Sequence, residues 1–125
     1  MKNEIILYRP NEATEHIEVH IENETVWLNR QQIATLFGRD VKTIGKHINN
    51  ALKEKLEGIP TVANFAIVDF EGERKVQRNI EYYNLDIILS VGYRVKSKQG
   101  IHFRMWVTTI LREYLNKGIE LKIYK

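Results

Sequence analysis

Residues 28–52 read Leu-Asn-Arg-Gln-Gln-Ile-Ala-Thr-Leu-Phe-Gly-Arg-Asp-Val-Lys-Thr-Ile-Gly-Lys-His-Ile-Asn-Asn-Ala-Leu. Ala34, Gly38 and Ile44 fall at the spacing Ala-x3-Gly-x5-Ile, which two short helices around a sharp corner require. A small residue lets the first helix approach the second. Glycine takes the positive φ of the corner, and an aliphatic residue closes the pair. Asn29 with Gln32 forms a capping box for a helix over Arg30 to Phe37, with Ile33, Ala34 and Phe37 inward. Asp40 caps a second helix whose buried stripe is Ile44, Ile48 and Leu52. That helix is expected to fray near Glu57-Gly58 and to stop before Pro60.

The second helix turns Lys42, Thr43, Lys46, Asn49 and Asn50 away from this stripe. These side-chain types contact phosphates and base edges, and asparagine suits adenine. Arg30 and Arg39 stand at the helix starts, placed to grip phosphates. Two positions depart from the usual helix-turn-helix pattern. Arg39 follows the turn glycine where an apolar residue is common, and Val41 takes over its packing role. His47 stands where an apolar residue is usual, and Ile48 supplies that contact.

Upstream, Glu4 to Tyr8 reads as a short strand ended by Arg9-Pro10-Asn11. His16 to Glu22 alternates strictly, with Ile17, Val19 and Ile21 on one face and His16, Glu18, His20 and Glu22 on the other. With Thr25 to Leu28 it makes an N-terminal β-hairpin whose outer face is acidic. Downstream, Thr61 to Phe70, a turn at Glu71-Gly-Glu73, and Arg74 to Tyr83 form a second hairpin in the position of a wing. Arg74, Lys75 and Arg78 lie at its tip and returning strand. Asn84 caps a short helix from Leu85 to Ser90 or Val91, with Leu85, Ile88 and Leu89 inward. A loop from Gly92 to Gly100 then carries Tyr93 and a second basic patch, Arg94, Lys96 and Lys98. Phe103, Trp106, Val107, Ile110, Leu111, Tyr114 and Leu115 repeat at three and four, giving a long last helix from Ile101 to Asn116. Lys117-Gly118 reads as its stop, with Ile119 to Tyr124 an edge strand or tail.

The expected fold is α+β: a winged helix-turn-helix-like single domain with an N-terminal β-hairpin and a long C-terminal helix. Its parts are residues 1–28, 29–57, 61–83 and 84–118 of the 125. The net charge of +3 conceals an asymmetry. Residues 1–29 hold two Lys+Arg against six Glu, net −4, and the remainder holds 17 against 10 acidic residues, net +7. The basic part starts where the helix pair starts, which favours a polyanionic partner.

The sequence disfavours several chemistries. There is no cysteine, hence no disulfide or thiolate, which suits a reducing cytoplasm. No apolar run approaches the ~20 residues of a membrane span, and the N-terminus is too short for a signal peptide. Ser90 and Ser97 are the only serines and neither lies in a nucleophile elbow. The seven glycines form no phosphate loop. His16-x-Glu18-x-His20 shares one strand face, but its side chains stand about 6.5–7 Å apart and splay, so a solvated face is expected rather than a metal site. No enzyme activity, metal or cofactor is expected.

Phe37-Gly-Arg-Asp40, Tyr82-Tyr-Asn-Leu-Asp86, and Ser90-Val-Gly-Tyr-Arg-Val-Lys-Ser-Lys98 with Phe103-Arg-Met-Trp106 resemble the RhuM family of bacterial virulence-associated proteins, from Glu4 to about Gly118. More distantly the chain is similar to the N-terminal domain of BRO-type phage antirepressors. The resemblance implies a cytoplasmic DNA-binding or regulatory module. It also implies that this chain is either whole or the N-terminal part of a longer protein. The expected partner is double-stranded DNA, bound by a homodimer with the last helix as candidate interface. The alternative is an antitoxin-like or virulence-associated protein-interaction module that does not bind DNA.

Overall fold

A computed structural model describes residues 4–10, 15–54 and 61–124; the side chains of Ile67 and of residues beyond Glu113 lie outside that description. The expectations for Asn11, for Glu57 to Pro60, and for the Tyr114 and Leu115 side chains fall outside it as well. The elements are β1 (Glu4–Tyr8), β2 (Ile17–Glu22), β3 (Thr25–Asn29), α1 (Arg30–Phe37), α2 (Val41–Glu54), β4 (Val62–Glu71), β5 (Arg74–Asn84), α3 (Leu85–Arg94) and α4 (Gln99–Tyr124).

The strands form one five-stranded antiparallel sheet in the order β1-β2-β3-β5-β4. Alternation explains its two faces. Tyr8, Ile17, Val19, Ile21, Val26, Leu28 and Tyr83 point into the core, where Ile33, Leu36, Phe37, Ile44, Ile48, Ile87, Ile88, Val91, Phe103 and Val107 meet them from the helices. On the opposite face Ile5, His20, Trp27 and Asn84 stand in one cross-strand row. There His20 stacks on Phe65 with centroids 5.2 Å apart and meets the Tyr82 ring at 4.8 Å. The acidic outer face expected of β2 is therefore partly an aromatic cluster, because Phe65 on β4 and Tyr82 on β5 cover His20. The second hairpin does not stand apart from the first. Asn29 to Trp27 of β3 pair with Tyr82 to Asn84 of β5 and join both hairpins into one sheet. Beyond Ala63↔Tyr82, β4 and β5 run on as a two-stranded ribbon to the turn at Gly72.

The helix pair forms as its sequence predicts. Asn29 Oδ1 accepts from Gln32 N, and Gln32 Oε1 accepts from Asn29 N, both at 2.9 Å. Gly38 ends α1 at φ 63°, a conformation that costs glycine little and other residues more. Leu52 is only half-buried; Ala51 and Gly45 complete the inner face of α2 instead.

Two boundaries differ from expectation. The helix α3 runs on through Gly92 to Arg94, so Tyr93 and Arg94 belong to its last turn and not to a loop. Gly92 there allows close packing: a Cβ at this position would lie 2.8 Å from Phe37 Cζ. The other is α4, which passes through Lys117-Gly118 without stopping and takes up the expected terminal strand. One glycine inside a helix costs only about 1 kcal/mol relative to alanine, which good helix formers on either side outweigh.

Candidate nucleic-acid interface

The side chain of Asp40 caps the first turn of α2. The Asp40 carboxylate accepts from Thr43 N at 2.6 Å and from Thr43 Oγ1 at 2.9 Å. Those two hydrogen bonds, the backbone one foremost, hold the Asp40 carboxyl below its ordinary pKa, with Lys42 and Lys46 adding to the effect. Thr43 is thereby committed to the cap. Lys42, Lys46, Asn49, Asn50 and Lys53 are exposed. At 3.6 residues per turn, Lys42, Lys46, Asn49 and Lys53 fall on one line opposite the buried Ile44, Ile48 and Ala51. Lys53 was not among the expected contacts, although its spacing from Lys46, one heptad on, placed it there.

The arginines behave differently from the lysines. Arg30 lies over α2, its guanidinium 3.4 Å from where a Cβ on Gly45 would stand, and it reaches the Tyr83 hydroxyl. That hydroxyl donates to Glu81 Oε2 at 2.9 Å, and burial foremost pushes the phenol's pKa up. Arg39 donates from Nη1 to the Phe37 carbonyl at 3.2 Å and from Nη2 to the Val95 carbonyl at 3.2 Å. Arg78 pairs with Glu71 and, at 3.8 Å, with Asp69 across the ribbon. Arg94 pairs with Glu54 at the end of α2. Each has a role inside the fold, which leaves Arg74 and Lys75 exposed beside the ribbon turn and Lys96 and Lys98 exposed in the α3–α4 turn.

Those two lysines are nevertheless tied to α2. Arg39 just before its start holds Val95, and Glu54 at its end holds Arg94, so the α3–α4 turn flanks the helix. The turn is a Schellman closure: Ser97 N donates to Gly92 O and Lys96 N to Tyr93 O, both at 3.1 Å. Lys96 occupies its left-handed position at φ 53°.

Other singled-out side chains fall elsewhere. Trp27 is buried and donates to the Glu22 carbonyl at 2.9 Å. Trp106 is half-buried against Tyr8, centroids 4.7 Å apart. Tyr93 is 87% exposed. Among the described residues, no three of His, Asp and Glu gather into a group that would hold a metal ion, and no helix is long and apolar enough to cross a membrane.

Fold and surface together define an α+β protein with a single antiparallel sheet among the described residues, helices packed on one face, and one helix with an exposed cationic side. The model of the Virulence protein RhuM family matches residues 60–123, just over half of the chain, and the chain belongs to that family. The matched segment holds β4, β5, α3 and most of α4; α1 and α2 precede it, although the resemblance was expected to extend back to Glu4. No curated protein and no solved structure matches the chain.

Proposed function

We propose that this chain is a DNA-binding, regulatory module working in the cytoplasm as a homodimer. In this reading α1 and α2 are a helix-turn-helix, and the β4–β5 ribbon is its wing. One observation carries it: Lys42, Lys46, Asn49 and Lys53 form an exposed line along a helix whose opposite face is buried. From Lys42 to Lys53 that line spans about 16 Å, and the major groove, about 12 Å wide, admits one α-helix. Lysines placed so neutralise phosphates, and Asn49 between them is of the type that pairs with an adenine edge. Arg74 and Lys75 on the ribbon turn supply backbone contacts beside the groove, and Lys96 and Lys98 flank the helix.

The test is a mobility shift on random and genomic duplexes at low salt, followed by a salt titration. Affinity is expected to fall by orders of magnitude between about 50 and about 200 mM salt. No retardation at low salt overturns the reading. The competing role, protein interaction without DNA contact, draws on Val68 and Phe70, exposed by 57% and 64% on the edge strand β4.

A further inference from the structure

The turn between α3 and α4 opens onto a depression of about 550 Å³ lined by Leu89, Gly92, Tyr93, Ile101 and the cations Lys96, Lys98 and Arg104. A second depression of about 410 Å³ continues from Ile101 and Arg104 past Met105 to Thr108 and Thr109. Ile101, Arg104, Met105 and Thr108 are spaced i, i+3, i+4, i+7 and so share one face of α4. That face is opposite the one Phe103 and Val107 bury.

Two features of this groove call for an occupant. Tyr93, Ile101 and Met105 are 87%, 64% and 64% exposed, three large apolar side chains on the two sides of the α3–α4 turn. Apolar groups gathered at the surface of a folded chain mark a contact surface. The second is charge: Lys96, Lys98 and Arg104 stand along the same lining, while the glycines beneath, Gly92 and Gly100, are packed against Phe37.

We propose that this groove binds an acidic segment of a partner protein that carries bulky apolar side chains. Charge complementarity sets the sign. Among the described residues the lining includes three cations and no carboxylate. Glu54, in a depression that shares Leu89, Tyr93 and Lys96, is already paired with Arg94. The apolar content distinguishes peptide from nucleic acid. Nucleobases stack on aromatic faces, and Tyr93 is the one aromatic ring here, whereas Leu89, Ile101 and the adaptable thioether of Met105 suit aliphatic and aromatic peptide side chains. The segment would lay its apolar residues between Tyr93 and Met105 and its carboxylates against Lys96, Lys98 and Arg104.

The test is selection of binders from a random dodecapeptide display library on the full chain, followed by anisotropy titration of the selected peptides. The expected result is enrichment in Asp and Glu together with Leu, Phe or Trp. Affinity is expected to weaken about tenfold in each of Ile101→Asp and Lys98→Glu, with helix content by circular dichroism unchanged. Met105→Asp repeats the measurement should Ile101→Asp fail to fold. Lys46→Glu, which removes the proposed DNA contact on α2, is expected to leave peptide affinity unchanged, so a loss at α2 and a loss at the groove are read separately even though Lys96 and Lys98 flank both. Selected peptides without acidic bias overturn the proposal. So does affinity that survives Lys98→Glu together with an Ile101 or Met105 substitution, or displacement of the peptides by a single-stranded oligothymidylate at equal concentration.

Discussion

Arg39 reaches across 56 residues of sequence to the Val95 carbonyl, Nη2 to O at 3.2 Å, while Nη1 of the same guanidinium holds the Phe37 carbonyl. One side chain thus closes the C-terminal ends of α1 and α3 together and fixes the α3–α4 turn beside α2. A side chain that only gripped phosphate would be dispensable for folding. Arg39→Ala is therefore expected to lower unfolding free energy by about 1 kcal/mol, the value of a partly solvated charge-assisted hydrogen bond. Lys46→Ala is expected to leave it unchanged. Denaturant titration of both variants checks this, and equal stabilities would mean that the Arg39 bonds to the two carbonyls contribute nothing to folding.

Phe37 of α1 packs against Gly92 of α3. A methyl at position 92 would lie 2.8 Å from Phe37 Cζ, and Phe37 is 3% exposed, so its ring has little room to move. Gly92→Ala is expected to destabilise by about 1–3 kcal/mol, the usual cost of overpacking. Gly38→Ala meets no neighbour within 4 Å and is strained only through its φ of 63°. A smaller loss for Gly38→Ala in the same denaturation series separates steric crowding from backbone strain.

Local signals carried most of what the sequence predicted. Spacing within a few residues determined α1 and its capping box, the Gly38 corner, both hairpins and the apolar face of α4. The union of the hairpins through β3 and β5 has no local signal, since the pairing of Leu28 with Tyr83 spans the whole helix pair. The same holds for His20, whose alternation marks it as outward-facing while its surroundings come from Phe65 and Tyr82 on distant strands. For the candidate interface, composition and spacing identified the cations of α2. They did not identify which arginines the fold engages, because Glu54, Glu71 and the Val95 carbonyl become neighbours only on folding. Gly92 and Gly118 carry the sequence signal of a helix break, yet a helix tolerates one glycine when packing or flanking residues favour it.

His20 stores a pH dependence. Burial against Phe65 and Tyr82 lowers its pKa, and Glu18 and Glu22 only partly oppose that; Nδ1 is buried without a hydrogen-bond partner. The folded chain then binds a proton less readily than the unfolded chain, so stability rises with pH below about 6.5 and is lost on acidification through that window. His20→Phe keeps the ring and removes the titration. Its thermal midpoint is expected to vary less than the parent's between about pH 5 and about pH 7, and parallel profiles would refute the assignment.

The DNA reading makes a prediction in salt. Each lysine that neutralises a phosphate contributes about −0.9 to the slope of log affinity against log salt. Lys42→Ala, Lys46→Ala and Lys53→Ala are each expected to lower the magnitude of that slope by about 1 and to weaken all duplexes alike. Asn49→Ala is expected to leave the slope unchanged and to narrow the gap between preferred and random sequence. Slopes that stay fixed in all three lysine variants would remove α2 from the interface.

Lys96 opposes stability to charge in one residue. It holds the left-handed position of the α3–α4 closure at φ 53°, where a side chain costs about 1 kcal/mol that glycine does not. It also lines the groove together with Lys98 and Arg104. Lys96→Gly is expected to raise the unfolding free energy by about 1 kcal/mol while weakening the acidic peptides that the groove selects. The two changes run in opposite directions, which separates a cation retained for binding from one retained for structure. A variant that loses stability and binding together would mean that the Lys96 stem packs the turn.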